Sequence, residues 1–285
     1  MQPNPKQEQE TESQLITIDL RSVVASKLGR KSALVPGWLV GRLEKVICQD
    51  RLNEMLRVAY PRRGADFCEA VIRHLDVRVD IRHAERLPDS ADRNVIFVSN
   101  HPLGGLDGMI LIHLLTRHYG VEPRFVVNDL LMAVEPLSDV FLPVNKHGSQ
   151  SRNSTRAIDE AMADPDRPVV VFPAGLCSRL RDGSVADLEW HKMFVQKARQ
   201  FGRDIIPLHF DGCNSRKFYR TARLRERLGI KFNIEMVLLP SEVFKAQGKT
   251  FAITVGEKIP ADTLDRDARA ETRRIRAIVD NLSLT

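Results

Sequence analysis

The 285-residue sequence has only four cysteines, and none stands in the paired spacing of a zinc site or a disulfide framework. Long apolar runs are also missing. The longest, residues 109–115, is interrupted by His113 and is far shorter than the roughly 20 residues that a spanning helix needs. The first residues lack the basic start and apolar core of a signal peptide. These absences predict a protein of a reducing compartment without a transmembrane segment.

Several motifs of enzymes and binding proteins are missing as well. The sequence contains no HExxH and no clustered Cys/His spacing, so we expect no metal site. Aromatic residues are only 6%, and no zinc finger or aromatic RNA-binding signature occurs, so we expect no nucleic-acid partner. What is present is 43% apolar residues, which is enough for one sizeable core.

Positive charge is in excess, with 43 Lys and Arg against 37 Asp and Glu. The densest run, RKFYRTARLRERLGIK at residues 216–231, sets five arginines and two lysines against one glutamate. The run indicates either a site for an anionic surface or a solvated helix face whose aliphatic stems cover the core. The sequence leaves both open.

Three regions follow from composition and periodicity. Residues 1–14 are polar and predict a disordered tail. Residues 15–75 have helical spacing and predict a helical N-terminal layer, and residues 76–285 predict an α/β domain. A helix after Pro36 carries an apolar stripe that indicates either a seat in the membrane headgroup layer or packing on the domain. The stripe consists of Trp38, Leu39, Leu43, Val46 and Ile47.

Beyond residue 75, short β-rich runs alternate with helical ones. The strands are predicted at 77–81, 95–99, 124–127, 141–144, 169–172, 205–210, 234–238 and 250–255. The helices are predicted at 106–118, 153–163, 188–201, 215–228 and 262–282. Such alternation predicts an α/β fold, a mixed but largely parallel sheet flanked by helices.

The segment NVIFVSNHPLGGLDGMILIHL, residues 94–114, is a buried strand, a polar turn and an apolar helix. Its loop holds His101 and Asp107, and the pair Gly104 and Gly105 allows the chain to fold back. A carboxylate bonded to one imidazole nitrogen leaves the other free to accept a proton, as a general base requires. The alternative is that both residues only cap the turn and the helix.

Four ordered segments resemble the blocks of the glycerolipid acyltransferase superfamily: SNHPLGGLDG, FLPVNK, FPAGLCSR and IIPLHF. The first and third are similar to a bacterial branch often labelled hemolysin-like, which includes acyltransferases that complete ornithine or glycine lipids. The resemblance implies an O-acyltransferase in which His101 is a general base oriented by Asp107. It implies an acyl thioester of coenzyme A or acyl carrier protein as co-substrate, no cofactor, and a lysolipid acceptor, either a lyso-aminolipid or lysophosphatidate. It also implies a cytoplasmic protein, peripheral on the inner, anionic face of the cell membrane.

The same resemblance implies the residues that bind substrate. Lys146 ends the second block and Arg179 closes the third, and both are expected to bind an anionic headgroup or the donor's phosphates, with Arg152 and Arg156 as weaker candidates. Backbone amides of the glycines are candidate oxyanion donors. The full set of expected substrate-binding residues is Lys146, Arg179, Gly104, Gly105, Phe172, Pro173, Gly175 and Arg152.

Two departures from the family pattern bear on the substrate. Five residues, rather than four, separate His101 from Asp107, and the glycine pair can absorb the extra one. Ala174 stands where the family has a glutamate, which leaves a smaller and less polar site. We therefore expect a bulkier acceptor than glycerol phosphate, such as a lyso-aminolipid.

Two other classes of function stay open at this stage. Cys177 or Ser178 follows a strand and a tight turn, where hydrolase nucleophiles lie, although no GxSxG elbow is present. The net charge also fits a non-catalytic binder of anionic membrane or nucleic acid. The remaining acids and histidines of interest are expected to be structural: Asp187 and Glu189 at a helix start, and His113, His118, His191 and His209.

Overall fold

The computed structural model describes residues 17–22, 25, 29, 35–128, 131–132, 134–144, 149–181 and 183–284. The tail predicted for residues 1–14 and the predicted binding residue Lys146 lie outside these ranges. The described chain begins with helices, as the periodicity of residues 15–75 predicts. They are α1 Gly37–Ile47, α2 Gln49–Ala59 and α3 Gly64–His74.

A seven-stranded sheet follows, in the spatial order β1-β9-β8-β2-β5-β3-β4. Neighbouring strands run parallel except β8 and β9, which run antiparallel. The mixed, largely parallel α/β fold is therefore confirmed. The strands are β1 Arg78–Arg82, β2 Val95–Ser99, β3 Arg124–Asn128, β4 Phe141–Val144, β5 Val169–Val171, β8 Asp204–Asp211 and β9 Thr250–Val255. A separate hairpin is formed by β6 Arg179–Arg181 and β7 Ser184–Ala186.

Helices cover both faces of the sheet because its central strands are apolar on both sides. Every residue of β2 is buried, and Phe97 belongs to one core cluster while Ile96 and Val98 belong to another. The first cluster includes α2, α3 and α4, and the second includes α5, α6 and α9. The helices of this part are α4 Leu106–Tyr119, α5 Ser149–Ala163, α6 Met193–Phe201, α7 Arg216–Arg227, α8 Leu239–Lys245 and α9 Ala268–Asn281. No helix in the described ranges is long and apolar enough to cross a membrane.

The strand predicted at 234–238 is wrong. Ile234–Leu238 forms a 3₁₀ turn, in which Glu235 is fully buried between Arg179 and Arg225. The apolar residues of this run alone predict a strand. The ion pairs of Glu235 with arginines of two other elements favour the 3₁₀ turn instead.

Two helices begin later than predicted. The helix predicted from residue 188 begins at Met193, so Asp187 and Glu189 lie before it in irregular chain and not at its start. The last helix begins at Ala268, because the Asp267 carboxylate accepts hydrogen bonds from the N–H groups of Arg269 and Ala270 and caps it there.

Candidate active site

The carboxyl ends of five parallel strands meet at one edge of the sheet, where α/β proteins bind their ligands. His101 lies two residues after β2, and Phe172 and Pro173 follow the neighbouring β5. Arg152 lies exposed in the first turn of α5, which follows β4. Strand β4 is three strand spacings from β2, or about 14 Å across the sheet. His101 thus lies toward one end of this edge, and the basic residue Arg152 lies toward the other, which we call the basic end.

His101 and Asp107 meet although six positions separate them. His101 lies on the loop and Asp107 in the first turn of α4, and His101 Nδ1 is 3.0 Å from Asp107 Oδ2. An ionised carboxylate can only accept, so Nδ1 carries the proton and Nε2 is the basic nitrogen. Within the described chain, Nε2 has no hydrogen-bond partner, and the His101 side chain keeps 14% of its surface accessible.

The fully buried Asp107 carboxylate also holds the loop. It accepts backbone N–H groups from Leu103 at 2.9 Å, Gly104 at 3.3 Å and Gly108 at 2.9 Å. The sequence presents the capping of the turn and the orientation of His101 as alternatives. The Asp107 carboxylate performs both roles.

Gly104 is the position in this loop that requires glycine. Its φ is +79°, and a Cβ there would lie 3.0 Å from Leu239 and 3.1 Å from Cys177. The loop can bring Asp107 to His101 only because its backbone at Gly104 lies close to Leu239 and Cys177, where a side chain would not fit.

The pKa of His101 is raised. Burial alone lowers the pKa of this imidazole, but the negative charge of Asp107, its hydrogen bond and the charge of Asp187 outweigh burial. The pKa of Asp107 is lowered, because its partner His101 and the backbone donors outweigh the effect of burial. The pair therefore favours the imidazolium that forms when His101 accepts a proton.

Two neighbours fix the His101 ring and backbone. The ring stacks on Phe172, with centroids 4.1 Å apart and planes 19° from parallel. The preceding residue, Asn100, ties β2 to β8: its Nδ2 donates to Phe210 O at 2.9 Å and its Oδ1 accepts from Phe210 N at 2.7 Å. Phe172 thus fixes the plane of the His101 ring, and Asn100 fixes the end of the strand that precedes it.

Asp187 is a buried residue of the site, although the sequence predicts only a structural role for it at a helix start. Its carboxylate accepts the His101 backbone N–H at 3.2 Å, the Ser178 hydroxyl at 2.5 Å and Trp190 Nε1 at 2.9 Å. Ser178 N also donates to His101 O at 2.8 Å. Ser178 and Asp187 flank the β6–β7 hairpin, which the sequence did not predict, so no local signal brings them together.

Other predicted site residues have partners inside the protein. Arg179 is buried, with Nη2 2.7 Å from Glu235 Oε1 and Nη1 donating to Cys177 O. The N–H of Gly104 is taken by Asp107 and that of Gly175 by Phe172 O at 3.0 Å. Among the glycines predicted as oxyanion donors, Gly105 alone has an N–H without a partner in the described chain.

The remaining expectations concern Pro173, Ala174 and Arg156. Pro173 O accepts from His191 N at 3.0 Å, and Ala174 is buried in the second core cluster. Arg156 is exposed and pairs with Glu160 at 3.1 Å one turn along α5. Its charge is thus partly neutralised on its own helix.

Cys177 has the surroundings of a structural cysteine. It is fully buried, and burial raises the pKa of its thiol to about 11. Because the thiolate is the nucleophile, this environment disfavours the hydrolase alternative. Ser178 is also buried, and its hydroxyl donates to the Asp187 carboxylate and not to the imidazole that a serine hydrolase uses.

Comparison with known proteins identifies the family. The family model described as Acyltransferase matches residues 22–278. The chain belongs to this acyltransferase family. Two relatives of the acyltransferase are named lyso-glycine lipid O-acyltransferase. The one from Phocaeicola vulgatus is 42% identical over 90% of this chain and 91% of its own, and the one from Bacteroides thetaiotaomicron is 40% identical over 90% and 93%.

A solved structure also resembles this acyltransferase. It is the 1-acyl-sn-glycerophosphate acyltransferase PlsC from Thermotoga maritima, 14% identical, covering 87% of this chain and 92% of that one, with a TM-score of 0.47.

Proposed function

We propose that this acyltransferase moves a fatty acyl group from a thioester to the hydroxyl of a lyso-glycine lipid. The observation that carries the proposal is the His101–Asp107 pair, 3.0 Å apart, at the carboxyl edge of the sheet. The acceptor is inferred from the two relatives whose printed name is lyso-glycine lipid O-acyltransferase. Family membership favours acyl transfer over the hydrolase and the non-catalytic binder.

In the proposed step, His101 Nε2 accepts the proton of the acceptor hydroxyl while the oxygen attacks the thioester carbonyl. A C–O bond forms, the C–S bond breaks, and the thiolate leaves. The imidazolium, stabilised by the Asp107 carboxylate, then returns the proton to the thiolate, so that an ester and a free thiol result. The reaction needs no covalent enzyme intermediate and draws on the thioester alone, which is why we propose no cofactor.

Several groups have proposed supporting roles. A positioned general base contributes typically 10²- to 10⁴-fold, and the remainder comes from positioning and oxyanion stabilisation. The N–H of Gly105, which has no partner among the described residues, lies at the positive end of α4 and is the proposed oxyanion donor. We assign Arg152, in the first turn of α5, and Lys146, which lies outside the described residues, to the headgroup carboxylate or to phosphates of the donor, which is coenzyme A or acyl carrier protein.

The test is transfer of labelled acyl groups from each donor to lyso-glycine lipid, lyso-ornithine lipid and lysophosphatidate. We expect transfer to lyso-glycine lipid that is lost in His101→Ala and kept in His191→Ala, the matched change at an exposed histidine. Equal rates for the two variants contradict the assignment of the base. Preference for another acceptor contradicts the substrate but leaves the reaction intact.

A further inference from the structure

Large apolar side chains are exposed on one segment beyond the active site. Phe232 is 70% exposed, Leu228 64% and Leu224 58%, all within the end of α7 and the turn that follows it. Ile230 and Ile234 of the same segment are also exposed. Single exposed apolar residues are ordinary, but five within eleven residues are a concentration of apolar surface in one segment.

The same helix and turn carry many exposed cations. Six exposed basic side chains lie on α7 and the turn, with Glu226 as the exposed acid among them. They are Arg216, Lys217, Arg220, Arg223, Arg227 and Lys231. In the described part of the chain none of the six forms an ion pair, so their charge is available to an anionic partner.

The buried face of α7 packs against the rest of the protein. Helix α7 buries Phe218, Tyr219 and Ala222, and the first two form a small core cluster with Cys177 and Leu238. Val46 of α1 packs on the same cluster, while Trp38 at the start of α1 is 67% exposed. The C-terminal half of α1 thus packs on the same cluster as α7, and its first turn exposes an indole.

We propose that α7, the segment 228–234 and Trp38 form a docking surface for an anionic lipid bilayer. In the docked state Leu228 and Phe232 lie among the acyl chains, and the arginines contact lipid phosphates. Exposed aromatic and aliphatic tips rimmed by cations are the composition that binds at a bilayer interface. A water-soluble acidic protein would match the cations but would not require these tips.

The docking surface is connected to the base. Arg225 of α7 contacts Glu235 at 3.1 Å, Glu235 contacts Arg179 at 2.7 Å, and the neighbour of Arg179, Ser178, donates its N–H to His101 O. Leu239, which follows the turn, packs against Gly104. The docked bilayer therefore lies beside the loop that carries His101. The inference rests on the proposed function only in that the acceptor is a lipid.

The test is binding of the full chain to vesicles of phosphatidylglycerol and phosphatidylcholine, compared with vesicles of phosphatidylcholine alone. We expect salt-sensitive binding to the anionic vesicles and a blue shift of tryptophan emission, which reports Trp38 because Trp190 is buried. Arg220→Gln/Arg223→Gln/Arg227→Gln should weaken binding on the order of tenfold to a hundredfold. Leu228→Ser/Phe232→Ser should weaken it at any salt concentration and abolish the shift.

The matched control is Arg266→Gln/Arg269→Gln/Arg273→Gln, which removes three exposed cations in and beside α9, against the other core cluster. Vesicle binding equal to wild type in both docking variants overturns the proposal. Loss of transfer from acyl carrier protein with unchanged vesicle binding also overturns it, because the surface would then serve that protein. The proposed function is tested separately, by acyl transfer to an acceptor dispersed in detergent. We expect His101→Ala to lose this transfer and keep vesicle binding. We expect the docking variants to keep this transfer and lose vesicle binding.

Discussion

The loop from residue 101 to residue 108 is organised around the Asp107 carboxylate, which accepts three backbone N–H groups and the His101 imidazole. Four donors satisfy a charge that is otherwise costly to bury. The same charge keeps His101 in one tautomer and raises its pKa. Asp107 therefore stabilises the loop and orients the base at once, and a change of its charge alone tests the second role.

Asp107→Asn keeps the shape of the side chain and removes its charge. We expect kcat/KM to fall by about 10²- to 10⁴-fold, the range of a positioned base. In wild type the raised pKa of His101 places the acid limb of the pH–rate profile above the ordinary value of 6.5, since His101 must be neutral to accept a proton. Without the carboxylate the pKa falls, so the acid limb moves to lower pH. An unchanged limb would falsify the role of Asp107.

Asp187 is a positioning residue in this arrangement, because it contacts the His101 backbone and not the reacting atoms. Asp187→Asn should lower kcat about tenfold, leave KM for the acceptor unchanged and shift the acid limb slightly to lower pH. The control is Asp262→Asn, a change at an exposed acid in the 3₁₀ turn Ala261–Thr263. A loss of stability without any change in the pH profile would mean that Asp187 is structural only.

Gly104→Ala and Gly108→Ala are a matched pair in the same loop and helix. At Gly104 the positive φ and the contacts of a Cβ with Leu239 and Cys177 should cost about 2 kcal/mol in the free energy of unfolding and most of the activity. At Gly108, in the first turn of α4, a Cβ lies 3.8 Å from Phe172, an ordinary contact, so we expect a neutral or slightly stabilising change. Urea denaturation measures both. Equal stabilities would contradict the strained approach at Gly104.

Single residues differ in how far the sequence predicts them. His101 and Asp107 stand in one motif, so a local pattern indicates their pairing. Arg179 also stands in a motif, yet its charge is taken up by Glu235, which is 56 positions away. Asp187 carries no motif, and its contact with His101 spans 86 positions. Contacts of this separation depend on the tertiary structure, which periodicity and spacing do not encode.

At the scale of elements, seven of the eight predicted strands are present, because alternation and buried apolar runs are local signals. The exception, 234–238, is controlled by the ion pairs of Glu235, and the β6–β7 hairpin is too short and polar to give a periodic pattern. These two elements are joined to each other by Arg179. The turn and the hairpin thus connect the docking surface to the base. The sequence also missed the short helix α8, which follows the turn.

Glu235→Gln tests this connection. It leaves the buried charges of Arg179 and Arg225 without their carboxylate, which should destabilise the fold by about 3–5 kcal/mol. Glu160→Gln, which removes the partner of Arg156 on the exposed face of α5, should cost less than about 0.5 kcal/mol. Urea denaturation of the two variants gives the comparison, and a similar small cost for both would contradict a structural role of the buried triad.

At the scale of the whole molecule, the N-terminal helices and the α/β part share a core. Met55 of α2 and Phe67 and Val71 of α3 lie in one cluster with Phe97 of β2 and Leu111 of α4. The boundary that the sequence indicates near residue 75 marks a change of periodicity, from helical to alternating. Whether it also separates two units that fold independently is a question of how much free energy the shared cluster supplies.

A shortened chain that begins at Asp76 tests whether the α/β part folds without the N-terminal helices. The chain would lack Met55, Phe67, Val71 and Leu75, whose burial contributes about 6–12 kcal/mol at 1.5–3 kcal/mol each. That sum is comparable to the whole stability of a typical domain, about 5–15 kcal/mol, so we expect the shortened chain not to fold. Removal of residues 1–14 alone, the predicted tail, should leave the melting temperature unchanged. The full chain should melt in one transition by circular dichroism and by fluorescence, whereas two separate transitions would make the N-terminal layer an independent unit.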